Sequence, residues 1–429
     1  MFWQSAGPLE ISVELASGID PNARSDAGYS VLQYAAALSD NPEAIRYLVA
    51  QGADPDTPSW LGLSPLHMAV LFNDNVEVAR VLLEAGADVD AKDKERGGTP
   101  LHHAGRKRNP DVYRLLLSHG ADVRANDVAY AKPLHWVGYT KDGFFPRLFA
   151  ESPPFDLALI ENADPSDSPT HGARGQEVGA LLLAAGAKVN DQNWLKASAL
   201  HYAVAYENDP QFIEFLLDQG ADLHAVAHRG RTPLHQATAF SPNPQIVELL
   251  IDRGANIAAL AEDQMTPLHT AAVTSTEPGV IRVLMERGAD ISAKAGEFGP
   301  PLNWAAAFNN DASIALALID AGADVNSRYG PQDYAPLHLA TYRNHNTSVM
   351  TALLDRGADV NLRSGNGGTA LHLAAAYAMG PEEIDLLLDR GADATIEAKG
   401  GSDAYDSGSF NADIRGTAVL ERLRKAAGR

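Results

Sequence analysis

Histidine is the side chain through which this chain would most readily do chemistry. It has fourteen of them and no cysteine. Eight stand in one register: His67, His102, His135, His201, His235, His269, His338 and His372. An imidazole can move protons, ligate a metal, or bridge two polar groups as a neutral ring with one donor and one acceptor. Spacing discriminates among these uses. Counted from Gln33, which holds the same place in a degenerate copy, and through Asn303, the steps are 34, 35, 33, 66, 34, 34, 34, 35 and 34. One ring per unit makes a ladder, which cannot converge on a single ion or substrate. The adjacent pair His102-His103 is the exception, and neighbours on a helix point in different directions. No Gly-rich phosphate loop, H-E-x-x-H or G-x-S-x-G is present. We therefore expect no enzyme activity, no metal and no cofactor.

The elements that carry these rings are set by two markers. The first is Thr-Pro-Leu-His or a variant, starting at Ser64, Thr99, Lys132, Ser198, Thr232, Thr266, Pro300, Ala335 and Thr369. The second is Gly-Ala-Asp or a variant, starting at Gly52, Gly86, Gly120, Gly186, Gly220, Gly254, Gly288, Gly322, Gly357 and Gly391. Between them lie two apolar-periodic stretches, which predict two short antiparallel helices. Thr or Ser before Pro fits an N-cap with Pro at the first helical position. The Gly after Leu-Leu-x-x supplies the left-handed residue that ends the second helix. The polar stretch leading to the next Thr-Pro is an extended finger.

On these residues the chain resembles the ankyrin-repeat family over roughly 28 to 395. The resemblance implies an all-α solenoid of paired short helices with β-hairpin-like fingers, about ten to eleven repeats plus end caps. It implies that each motif histidine bridges backbone groups of neighbouring fingers. It also implies that finger tips and first-helix faces form a concave groove for proteins, with no shared catalytic set.

Composition narrows the partners. The net charge of −21 argues against nucleic acid or an anionic membrane and favours a partner with a basic face. No apolar run approaches ~18 residues, and Met1 to Ser5 do not open a signal peptide, so a cytoplasmic location is expected. The leading expectation is a non-enzymatic, monomeric scaffold holding a protein or peptide. The alternatives are an inhibitor or immunity-type protein covering a basic toxin or enzyme, and an unfamiliar enzyme whose pocket lies in an irregular unit at 138–176.

Along the chain, 1–27 is expected to be an N-terminal capping unit, 28–398 the solenoid, and 399–429 a loop followed by a capping helix. The 66-residue step between His135 and His201 admits two threadings. One repeat could carry about 32 extra residues between its helices. Alternatively a worn repeat is hidden there, which the doubling of 33 favours, with Ala163 to Gln176 as a long loop.

Partner contacts are expected on the finger and first-helix side. The column at the end of the first helix holds Phe72, Lys107, Tyr206, Phe240, Phe308 and Tyr377, and Tyr139 and Tyr342 stand beside it. Fingers add Trp60, Trp194 and Phe298. Aromatic anchors dominate interface energetics, so these residues, with Arg106 from a basic cluster at 92–108, form the predicted surface. Trp136, Tyr202 and Trp304, just after the histidine position, are as readily explained by packing between repeats.

Overall fold

Most first helices begin where the sequence supplies a Ser or Thr cap, with Pro300 and Ala335 standing at that place in two repeats. Ser64, Thr232 and Thr266 accept the backbone N–H three residues on, and Pro follows at the first helical position. The motif histidine closes the cap from the other side, in the place where Glu or Gln usually stands. The Ser64 N–H donates to His67 Nδ1 at 3.1 Å, and the Thr232 N–H to His235 Nδ1 at 3.2 Å. Each second helix ends on a residue in the left-handed region, as at Gly86 (φ 91°) and Gly322 (φ 101°). No atom lies near the position of an added Cβ at either, so backbone conformation alone calls for glycine there.

The computed structural model describes residues 20–25, 28–137, 171–206, 210–241, 243–378 and 380–429, the side chains of 171–173 aside. Residues 1–19 and 26–27 of the N-terminal cap expected over 1–27, Tyr139 and the body of the irregular segment lie outside them. All regular elements described are helical. Extended pairing is confined to isolated bridges such as Gln192–Ser198 and Tyr329–Tyr334, which close fingers.

The chain divides into two units, Met1–His228 and Arg229–Arg429. The described residues of the first stack as five helix pairs. They are α1 (Val31–Leu38) with α2 (Pro42–Ala50), α3 (Pro65–Phe72) with α4 (Val76–Glu84), and α5 (Pro100–His103) with α6 (Pro110–Ser118). Then come α7 (Pro133–Val137) with α8 (His171–Ala184), and α9 (Ala199–Tyr206) with α10 (Pro210–Asp218). The second unit stacks six. They are α11 (Pro233–Phe240) with α12 (Pro244–Asp252), α13 (Pro267–Thr274) with α14 (Pro278–Glu286), and α15 (Pro301–Phe308) with α16 (Ala312–Asp320). The rest are α17 (Pro336–Leu339) with α18 (Thr347–Asp355), α19 (Ala370–Tyr377) with α20 (Glu382–Asp389), and α21 (Ala404–Ser409) with α22 (Ala418–Ala426). Within each unit, first helices pack on first helices and second on second. The motif leucines, among them Leu66, Leu101, Leu234 and Leu371, are buried in the seam.

Two polar ladders join neighbouring repeats. In the first, motif histidines span from their own cap to the next finger: His67 Nε2–H donates to Gly98 O at 3.1 Å, His235 to Met265 O at 3.1 Å and His269 to Gly299 O at 2.9 Å, whereas His338 keeps its cap bond and leaves Nε2 without a partner. Burial holds these rings neutral, with His67 pushed down to about 3 and His235 to about 4. The second ladder was not anticipated from the repeat markers. The amide of Asn309 donates to Ala272 O at 3.0 Å and Ser275 O at 2.9 Å, satisfying carbonyls at the end of the preceding first helix. Asn73, Asn344 and Asn411 repeat the arrangement.

Three expectations are corrected. Among the described residues no further repeat separates the first helix carrying His135 from the one carrying His201. His135 bridges directly to Ala197 O at 3.2 Å, the Trp194 N–H donates to Ala129 O at 3.0 Å, α7 packs on α9, and α8 packs between α6 and α10. The extra residues therefore lie between the two helices of one repeat. The loop expected to run through Gln176 is already helical from His171. Gly175 was read within the loop, but it and Gly179 sit one turn apart against Phe212 and Phe215, where a Cβ would be tight at Gly175 and would collide at Gly179. Packing outweighs the low helix propensity of glycine there. Finally, 399–408 is not wholly loop. Asp403 and Asp406 form a reciprocal cap that opens α21, so the C-terminal region is a full helix pair rather than a lone capping helix.

Candidate partner-binding surface

The residue at the end of the first helix takes no part in either ladder, because the ladder carbonyls belong to its neighbours. In the second unit this column reads Phe240, Thr274, Phe308, Arg343 and Tyr377. Its three aromatic members stay 49, 43 and 54 % exposed.

Around Phe308 the rings form a connected surface. Phe298 comes from a finger and was expected at an exposed tip, but it is buried, 7 % exposed. Trp304 covers it edge-on at 4.9 Å between centroids and Phe308 does so at 5.3 Å. Trp304 is tied to its own finger by Nε1–H donating to Ala295 O at 3.1 Å. From the next repeat, the Arg343 guanidinium lies 5.9 Å from the Phe298 ring and 5.1 Å from the Tyr342 ring. Tyr342 continues the surface to Tyr377 at 5.2 Å and to Tyr334 at 5.9 Å. Burial, then the neighbouring Tyr342 and Tyr377, raise the Tyr334 phenol, which stays neutral at pH 7.

Of the predicted residues, Phe298, Phe308, Tyr342 and Tyr377 are thus brought together. Phe240 is exposed elsewhere in the same unit. Trp60 and Trp194 are 62 and 65 % exposed in the other unit and touch no other ring among the described residues. Trp60 lies over the backbone of Gly28 in the preceding finger, where a Cβ would come within 2.6 Å of the indole. Phe72 and Tyr206 are half-buried. Arg343, which centres the cluster, was in the aromatic column by position but was not among the predicted contacts. Its importance comes from contacts with two different repeats, which spacing does not reveal.

The basic cluster at 92–108 is not one surface. Arg108 is wholly buried, 5.3 Å from the Phe212 ring, and Lys107 is half-buried and pairs with Asp74 at 2.7 Å. Arg106 is half-buried. The physical reason is that Arg108 occupies the position where Asn73 and Asn309 stand in other repeats, which faces inward.

The residues after the histidines serve their own fingers. Trp136 Nε1–H donates to Asp127 Oδ2 at 3.1 Å, and Asn193 Nδ2–H donates to the Tyr202 hydroxyl at 2.7 Å. His103 takes the same role with Asp93, Nε2 to Oδ2 at 3.0 Å, both side chains buried. Burial alone would raise the Asp93 carboxyl, but hydrogen bonds from His103 and the Arg96 N–H hold it at about 2. Asp93 also accepts the Gly98 N–H at 2.7 Å, so its lone pairs are committed to the finger. His102 meanwhile bonds Ala131 O, and the adjacent rings diverge as expected. Among the described residues no group of His, Asp and Glu could hold a metal, and no helix is long and apolar enough to cross a membrane.

A family model described as ankyrin repeats in three copies matches residues 4–93, 62–127, 200–295 and 302–398. Among solved structures, the crystal structure of the human ASB11 ankyrin repeat domain is 28 % identical. The match covers 52 % of this chain and 97 % of that one, with a TM-score of 0.43. No curated protein matches the chain.

Proposed function

The chain belongs to the ankyrin-repeat family, and we propose that it is a non-enzymatic scaffold that holds a protein partner on the finger and first-helix side of Arg229–Arg429. The observation that supports this reading is the connected surface of Trp304, Phe308, Tyr342 and Tyr377 around Phe298. Rings of this size bring much contact area at little cost in side-chain entropy, and such anchors carry most of an interface's energy. Phe308 and Tyr377 remain exposed, with Trp304 and Tyr342 half-buried beside them, although the seam between repeats is already filled by the motif leucines.

The opposite, second-helix face is organised differently. Arg287 pairs with Asp252 and Glu248, Arg356 with Asp320, Arg390 with Asp355, and Arg422 with Asp385 and Asp389. Those charges are spent between repeats and leave fewer groups for a partner. The excess negative charge of the chain speeds encounter with a partner whose wider face is basic, while the rings set the dissociation rate.

The test is affinity capture from the source cell with wild-type protein, a Phe308→Ala/Tyr377→Ala variant and a Glu248→Lys variant as baits. A partner retained by Glu248→Lys and lost from the double variant supports the assignment. The reverse pattern places binding on the second-helix face and ends it.

A further inference from the structure

The charge at the aromatic surface is opposite to that of the chain. Arg343 is exposed, lies against Phe298 and Tyr342, and has no carboxylate partner among the described residues. Lys294 repeats the arrangement on the adjacent finger, its ammonium 5.5 Å from the Tyr329 ring. It too is exposed and makes no ion pair among the described residues. Most other arginines of this unit are neutralised, Arg231 by Asp263, Arg328 by Asp333, and the second-helix arginines by the pairs named above. In a chain of net charge −21, an exposed arginine held against two rings, with no carboxylate partner among the described residues, is a local reversal.

The reversal bears on what the surface can bind. Open ring faces attract a partner's cation. At Phe298 and Tyr342 that role is already taken by Arg343, so an incoming Lys or Arg would meet a like charge. A guanidinium held against rings is instead preset for a carboxylate, which it can bind with two parallel N–H bonds. The exposed faces of Phe308 and Tyr377 flank it and offer apolar contact. We propose that the segment bound here is an acidic-apolar stretch of a protein partner, in which Asp or Glu engages Arg343 and a neighbouring aromatic or aliphatic side chain packs on Phe308 or Tyr377. The inference rests on the scaffold reading above and refines it: a basic outer face on the partner governs approach, and a carboxylate governs the contact.

The test is selection of a phage-displayed random peptide library on the full-length chain. Enriched peptides are then remade with a fluorescent label and titrated against wild type, Arg343→Gln, Arg343→Glu and Phe308→Ala/Tyr377→Ala. The expected result is a consensus of Asp or Glu beside aromatic or aliphatic residues. Affinity should fall at least tenfold in Arg343→Gln, further in Arg343→Glu, and at least tenfold in the double variant. Peptides rich in Lys or Arg that lose affinity in the double variant but keep it in Arg343→Gln would overturn the carboxylate assignment and leave the scaffold reading intact. No enrichment, or peptides indifferent to the double variant, would overturn both. Circular dichroism of each variant checks that the helices are retained, and Arg343→Lys, which keeps charge but not the planar fork, should recover only part of the affinity.

Discussion

The histidine ladder makes a quantitative prediction about acid. His235 is fully buried, donates from Nε2 to Met265 O, and accepts the Thr232 N–H at Nδ1. The Nδ1 bond requires the neutral ring, since only an unprotonated nitrogen can accept, and burial lowers its pKa from 6.5 to about 4. The folded value lies below the unfolded one, so between them the unfolded chain binds the additional proton. The stabilisation is complete above about pH 6.5 and is lost as pH falls toward 4. From pH 7 to pH 5 the loss spans ~1.5 pKa units, or about 2 kcal/mol from this ring. The chain contains the replacement that removes the effect. Gln33 occupies the same position, donates from Nε2 to Leu63 O at 2.6 Å and accepts the Ser30 N–H at 2.7 Å. His235→Gln should therefore keep the bridge, cost less than about 1 kcal/mol at pH 7, and lose about 2 kcal/mol less than wild type on going to pH 5. His235→Ala, which leaves Met265 O and the Thr232 N–H unsatisfied, should cost about 1–3 kcal/mol at pH 7. Urea unfolding at both pH values, followed by far-UV circular dichroism, measures all three. Equal acid losses in wild type and His235→Gln would refute the neutral-bridge account. Clear stabilisation of wild type by low zinc would refute it from the other direction.

Other substitutions probe the remaining structure. Asn309→Ala should destabilise by about 1–3 kcal/mol because two helix-end carbonyls lose their donor, and Asn309→Asp should be worse because a carboxylate would face them; urea midpoints decide both. Trp60→Ala and Trp194→Ala should each cost less than about 1 kcal/mol, as exposed finger positions do, and a large drop in melting temperature would show that their rings hold the fingers together. Glu383 is buried, accepts a bond from His345 Nδ1–H at 3.1 Å, and has no partner for Oε2. Burial raises its carboxyl, opposed by His345. Its folded pKa thus lies above the unfolded one, and its contribution is lost as pH rises through that interval. Glu383→Gln should raise stability at pH 7, and a fall would show that the charged pair is favourable.

Local chemistry made the fold legible. A cap, a proline, an apolar helix and a left-handed glycine recur in order, and each fixes a backbone state within a few residues. The inserted segment was misread because its length happens to double the repeat. The closing marker held the answer, since no Gly-Ala-Asp falls between Gly120 and Gly186. The final helix pair was obscured because Asp403 replaces Thr-Pro and the helix contains Ser and Gly, although its cap is as complete as that of Thr232. At the candidate site the column of Phe308 and Tyr377 could be read from spacing. The burial of Phe298 and the placement of Arg343 could not, because they depend on how successive repeats rotate against one another.

That difference explains where recognition can reside in such a chain. The histidine and asparagine positions each satisfy backbone groups of a neighbouring repeat, so a change there unsettles two layers. The position after His is committed to its own finger, as Trp136, Tyr202 and Trp304 show. The end of the first helix has no comparable obligation. It holds Phe240, Thr274, Phe308, Arg343 and Tyr377 in successive repeats, and none of these side chains supplies a bond of either ladder. Thr274 illustrates the freedom: its hydroxyl bonds Thr270 O within its own helix and reaches no other repeat. A column in which chemistry can vary at small cost in stability is the one in which a partner's chemistry can be written. The second unit uses it to place aromatic rings on both sides of a single arginine.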